Sequence, residues 1–262
     1  MGALANPKPL TDNIIRLTVV DGKIRQKPEV KYNKDGSINR VRPNKTTGVS
    51  SEVYPFNTKA EIESMINLFN KRIEEAPDEN KRQIACRNKM MFLIGINVGL
   101  RASDLITLKW SFFLNNNGEF KEFYTIQPKK TRKQKKFVKL YFNKAAKKAV
   151  VDYIAEYPIQ NMDDYLFKSR KGDKHITEIA LGNIIKTAAK EVGIEKNICS
   201  HSLRKTFGFW AWHNAEDKNK ALVTLQMLFN HSDCTTTMKY IGLLSSEIED
   251  MFNSVDLGLE FI

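Results

Sequence analysis

The sequence predicts an α+β chain that is mainly helical and carries a small antiparallel β-sheet. Three observations lead there. Apolar residues recur at steps of three and four over most of the chain beyond residue 57. One interruption, between residues 112 and 142, is rich in Phe and is punctuated by turn signals. The first 55 residues lack helical periodicity and hold five of the eight prolines.

The elements follow in order. Within the leading segment, residues 14–20 and 24–32 read as strands around Asp21-Gly22, and residues 33–51 are polar with turn signals at Asp35-Gly36 and Pro43-Asn44. Ten basic residues against five acidic ones make residues 1–55 a basic arm or small β appendage, followed by one domain over 56–262. Ile62, Met65, Ile66, Phe69 and Ile73 define an amphipathic helix over 58–75, capped by Asn57 or Thr58. A more apolar helix is expected over 81–98, ended by Gly99, then a short helix over 102–109. Residues 112–114, 120–127 and 137–142 read as strands. Helices are expected at 144–156, 177–192, 201–214, 218–229 and 235–241, with a last amphipathic piece at 246–253.

Composition narrows the function classes. With 42 Lys+Arg against 30 Asp+Glu, the 262-residue chain carries a formal charge of +12, which favours an anionic partner such as nucleic acid. At 42% hydrophobic residues the chain can build a core, so wholesale disorder is excluded. The longest apolar stretch, 90–100, is broken by Gly95 and Asn97 and is too short to span a bilayer. The N-terminal MGALANPKPL has no apolar h-region, so a cytoplasmic protein without membrane association is expected. Cys86, Cys199 and Cys234 fit neither a disulfide framework nor a zinc motif, and with no carboxylate cluster or His/Cys ligand spacing no metal or cofactor is expected.

The densest charge lies in KKTRKQKKFVK (129–139), where Lys129, Lys130, Arg132, Lys133, Lys135, Lys136 and Lys139 meet no acid. This is either a solvated hairpin tip or a phosphate-binding one, in which counterion release drives association. His201 and Arg204 share a helix face near an N-terminus that Ser200 could cap, a setting suited to an anion. His231 and Tyr240 lie nine apart, and Arg101 follows a glycine-ended turn with Asp104 three residues on. Taken singly, each of these is common on an ordinary surface or in a core.

Their order and context are more specific. VGLRASDLITLKW (98–110), IQPKKTRKQKKFVKL (126–140), HSLRKTFGFWAW (201–212) and LQMLFNHSDCTTTMKYIG (225–242) closely resemble the tyrosine recombinase (phage integrase) family. The collinear resemblance runs from about residue 58 to 248 and implies that family's catalytic-domain fold. The family's ordered active-site set picks out Arg101, Asp104, Lys130, His201, Arg204, His231 and the nucleophile Tyr240, with Lys129 a close rival to Lys130. DNA contacts would come from Lys129, Arg132, Lys133, Lys135, Lys136 and Lys205. Two positions depart from the usual pattern: Asn230 and Lys205 stand where the family often has Gly and His.

The resemblance implies cleavage and rejoining of double-stranded DNA through a 3′-phosphotyrosine, without metal or ATP. It also implies a homotetramer on DNA, a monomer without it, and accessory directionality factors as partners. Residues 1–55 are too short for the helical core-binding domain that usually precedes the catalytic one, which leaves a reduced clamp, a shortened chain or an incomplete clamp. Two other readings share the basic charge: a catalytically idle DNA-binding accessory protein, and a type IB topoisomerase-like relaxing activity.

Overall fold

A computed structural model describes residues 52–127, 137–170, 172–243 and 254, together with four short strands in the first 51 residues. The chain divides into two compact units, Met1–Ser51 and Glu52–Ile262. In the first, β1 (Leu17–Val20) pairs antiparallel with β2 (Lys23–Gln26), Val20 facing Lys23 across the Asp21-Gly22 connection. A second two-stranded pair joins β3 (Lys31–Tyr32) to β4 (Ile38–Asn39). The single strand expected over 24–32 is therefore two, and Pro28, which has no N–H to give a ladder, falls between them.

The second unit opens with α1 (Lys59–Glu74), where Thr58 and Glu61 form a reciprocal capping box. Helix α2 (Glu79–Val98) starts at the Asp78 cap and stops at Gly99, whose φ of 68° is left-handed. α2 packs against α1, α5 (Lys144–Glu156) and α7 (Ser200–His213), and buries Met90, Met91, Phe92, Ile94 and Val98. Its burial on several sides fits the apolar run over residues 90–98 in its second half.

Three expectations are corrected in detail. The helix expected over 102–109 closes after α3 (Ala102–Leu105), because Lys109 forms a β-bridge with Tyr165. Residues 112–114 are not a strand: α4 (Trp110–Phe113) is a helical turn, and Leu114 makes one bridge with Phe120. A three-residue apolar run has no readable period. Tertiary contacts decide it, with Trp110 and Ser111 donating to the Asp164 and Met162 carbonyls and the Phe113 ring stacking on Phe142 at 4.1 Å. Third, Ser200 is not the N-cap of α7; Cys199 is, and its N–H bonds the Ser202 hydroxyl at 3.1 Å.

The hairpin β5 (Phe123–Ile126) and β6 (Val138–Tyr141) is antiparallel, with Ile126 opposite Val138 as its last described pair. Residues 129–136 of the basic run lie outside the described ones, as does the amphipathic piece expected at 246–253, while Lys139 sits in β6 opposite Thr125. The remaining helices are α6 (Glu178–Glu191), α8 (Lys218–Phe229) and α9 (Cys234–Ile241). Besides the main core, a smaller one gathers Leu225, Phe229, Ile241 and Leu243 with Phe207 and Tyr240. This second core fixes α7, α8 and α9 against one another. Among the described residues no helix is long and apolar enough to cross a membrane.

Candidate active site

Two helix ends build the site. The last carbonyls of a helix have no intrahelical donor and carry the negative end of its dipole, so they attract cations. At the end of α2 the Gly99 carbonyl accepts from Arg204 Nη1 at 2.5 Å. At the end of α8 the Phe229 carbonyl accepts from Arg204 Nη2 at 3.3 Å and from Arg101 Nη2 at 3.1 Å. One peptide oxygen thus holds both guanidinium groups, which repel each other. Arg204 is only 5% exposed, and its Cζ lies 4.1 Å from the Phe229 ring centroid. Burial lowers its pKa to about 10, with repulsion from Arg101 adding to the shift and Tyr240 and Asp104 opposing it. It remains charged at neutral pH.

The backbone at both ends is specific. An added Cβ at Gly99 would lie 2.4 Å from the Phe207 ring, and the φ is already left-handed. At the end of α8, Asn230 adopts φ 53° and ψ 52°, the one described non-glycine residue with positive φ. Glycine and asparagine are the residues that commonly terminate helices this way, so the Asn230 departure keeps the required geometry.

Tyr240 is presented by α9, which starts at Asp233; that side chain accepts from the Thr236 N–H at 2.6 Å. Hydrogen bonds from Ser232 and Thr236 bring the Asp233 carboxyl to a pKa of about 2. The Tyr240 ring meets Phe229 edge-on at 5.4 Å and His231 at 5.1 Å. The Arg204 and Arg101 guanidinium groups act electrostatically on its hydroxyl. Burial pushes the phenol above its ordinary value, and Arg204 and Arg101 pull it back down. His231 is held by a 3.1 Å contact between Nδ1 and the Thr237 hydroxyl. Burial, then Arg204 and Arg101, lower its pKa, so the imidazole is neutral at pH 7.

Arg101, Arg204, His231 and Tyr240 therefore form one cluster, with the buried carboxylate of Asp104 acting on Arg204 from α3. His201 is exposed in the first turn of α7, ahead of Arg204. Lys129, Lys130, Arg132, Lys133, Lys135 and Lys136 lie outside the described residues. Lys205, expected on a DNA-facing surface, is instead 9% exposed, with its Nζ 5.3 Å from the Tyr240 ring centroid. A cavity of about 580 Å³ beside Arg87, Trp110 and Tyr153 shares no residue with this cluster. Sequence reasoning missed Phe229 and Thr237. The one available signal was the Phe-Asn pair just before His231.

Residues 56–247 match the model of the phage integrase family. The chain belongs to that family. The integrase-family chain is 32% identical to the "Probable integrase/recombinase YoeC" of Bacillus subtilis over 172 residues, 64% of this chain and 86% of the relative. It is 28% identical to the tyrosine recombinase XerD of Oceanobacillus iheyensis, over 66% of this chain and 55% of that one, so it spans about half of that relative's length. Among solved structures, XerA recombinase superposes with a TM-score of 0.54 at 19% identity, over 84% of this chain and 70% of that one. The XerH site-specific recombinase, solved bound to difH substrate, gives 0.51 at 18% identity, over 80% and 55%. The fold of the integrase-family chain is thus the tyrosine recombinase fold, mainly helical with a small antiparallel sheet.

Proposed function

We propose that this chain is a site-specific DNA recombinase that cleaves and rejoins double-stranded DNA through a 3′-phosphotyrosine. The observation that carries the reading is the shared anchoring of Arg101 and Arg204 on the Phe229 carbonyl, with the Tyr240 ring packed on Phe229 and His231 and its phenol in the field of both arginines. A phosphodiester presented to the guanidinium pair would replace their mutual repulsion with attraction and would lie beside that hydroxyl.

In the proposed reaction the Tyr240 oxygen attacks phosphorus, the P–O5′ bond breaks, and the phosphoryl group moves to the tyrosine. The tyrosine proton goes to His201, and Lys130 protonates the departing 5′-oxygen. Arg101 and Arg204 match two phosphate oxygens with planar forks and meet the charge that develops on the phosphorane. Asp104 holds the arginines in orientation. Neutral His231 donates to a non-bridging oxygen from Nε2, which requires the Thr237 hydroxyl to turn its proton from the Asp233 carbonyl, 3.3 Å away, to Nδ1, 3.1 Å away. The reverse reaction reseals DNA, and because the ester bond is conserved in the enzyme linkage, neither ATP nor metal is consumed.

The partner chemistry follows. The basic run of residues 129–136 contacts phosphates, residues 1–55 serve as a basic arm and residues 56–262 as the catalytic domain, and cleavage proceeds in a homotetramer on paired sites. The protein is a monomer without DNA, acts in the cytoplasm, and takes its directionality from accessory factors. The test is covalent trapping on a nicked suicide duplex. Tyr240→Phe is expected to abolish the adduct while DNA binding survives, and Arg101→Ala or Arg204→Ala to slow adduct formation about 10²–10³-fold. An adduct that persists in Tyr240→Phe would assign the nucleophile elsewhere.

A further inference from the structure

Lys205 has a chemical environment that a DNA-facing lysine does not need. It follows Arg204 on α7, is 9% exposed, and points its ammonium at the ring of Tyr240, 5.3 Å from the centroid. Among the described residues this ammonium has no hydrogen-bond acceptor and no ion pair; Glu52 and the Cys199 thiol act on it only through space. Burial lowers its pKa from the ordinary lysine value. A desolvated, unpaired ammonium destabilises a fold unless some other group uses its charge.

We infer that Lys205 is a positioning residue for Tyr240: its ammonium holds the ring on the α7 side and stabilises negative charge on the phenolic oxygen. The inference rests on the proposed role of Tyr240 as nucleophile. A cation near an aromatic face is attracted by the ring, and the attraction grows when that ring becomes a phenolate. Arg204, Arg101 and Cys199 act electrostatically on the phenol, the His231 ring lies 5.1 Å from the Tyr240 ring, and Glu52 and Cys199 act on Lys205. Of these groups Lys205 is the cation not engaged by a carbonyl. Its charge is therefore free to act on the phenol through the whole reaction, including after both arginines have turned to the phosphate.

The experiment compares wild type, Lys205→Met and Lys205→Arg in single-turnover adduct formation on saturating suicide DNA across pH, with DNA affinity and thermal unfolding measured in parallel. Methionine keeps the stem and removes the charge, so it is expected to fold with an unchanged or higher Tm. It should form adduct about tenfold more slowly at neutral pH, the size of one desolvated cation–ring interaction. Losing a positive charge raises the phenol pKa, so the rising limb of its rate profile should move to higher pH, and Lys205→Arg should restore it. A Lys205→Met profile with the wild-type limb overturns the inference, whatever its rate. So does a loss confined to DNA affinity, which would make Lys205 a phosphate contact. If the wild type forms no adduct, the recombinase reading fails separately. NMR titration of the Tyr240 ring carbon without DNA, assigned by Tyr240→Phe, then decides: a higher phenol pKa in Lys205→Met sustains the inference, and an equal one overturns it.

Discussion

At the scale of single residues, the site depends on backbone conformations that the side chains only permit. Asn230 holds a left-handed φ of 53° so that the preceding Phe229 carbonyl faces both arginines. Asn230→Gly should keep the fold and the adduct, whereas Asn230→Val should cost about 1–2 kcal/mol of stability, the strain of a branched side chain in that region. The valine variant should also slow cleavage as the carbonyl turns away; thermal unfolding and suicide-substrate kinetics read the two effects. His231 supplies a pH signature. Its folded pKa lies below the ordinary value near 6.5, so the unfolded chain binds its proton first as pH falls. Its contribution to stability is complete above about pH 6.5 and is lost as pH falls through the depressed folded value. Replacing His231 with Gln should flatten that part of the stability–pH curve, measured by denaturant titration. The family resemblance picked out Arg101, Arg204, His231 and Tyr240 because a motif is read in side chains. It could not display Phe229, whose contribution to the pair is an oxygen that every residue possesses.

At the scale of elements, most helices were legible because their caps and periods agree. α5 and α8 span the expected residues, and α1 starts at one of the two expected caps. The region over 102–114 was misread because Lys109, Trp110 and Ser111 take their partners from Met162, Asp164 and Tyr165, some fifty residues on in sequence. Local patterning carries no trace of such partners. Helix contact also reverses a familiar rule at Gly208, in the middle of α7. Alanine there would normally gain about 1 kcal/mol of helix propensity. An added Cβ, however, would meet Ile241 Cγ2 at 2.6 Å and Phe229 Cε2 at 2.9 Å. Overpacking of that kind costs about 1–3 kcal/mol, so it outweighs the propensity gain. Gly208→Ala should lower Tm and slow adduct formation together, because it presses on the two residues that seat α9 and the arginine anchor. An unchanged Tm would mean that α9 yields freely.

At the scale of the whole molecule, charge and site reinforce each other. The net +12 favours polyanionic partners in general, and in the proposed reaction the clustered arginines would select the phosphodiester to be cut. Neutralising Lys133, Lys135 and Lys136 together should weaken DNA binding and reduce the salt slope by roughly 0.9 for each phosphate that no longer meets a cation. Filter binding over a range of salt measures it, and an unaltered slope would make the run a solvated tip. The architecture has a further consequence for anyone who would redesign it. The atom that gathers the arginines is the Phe229 main-chain oxygen, and codon changes cannot delete it. Natural drift can swap the ring at 229 and leave the anchor in place, and a catalogue of side chains never registers that it exists. Weakening it calls for synthetic chemistry, such as an ester linkage between residues 229 and 230, whose poorer acceptor would loosen both guanidinium groups at once.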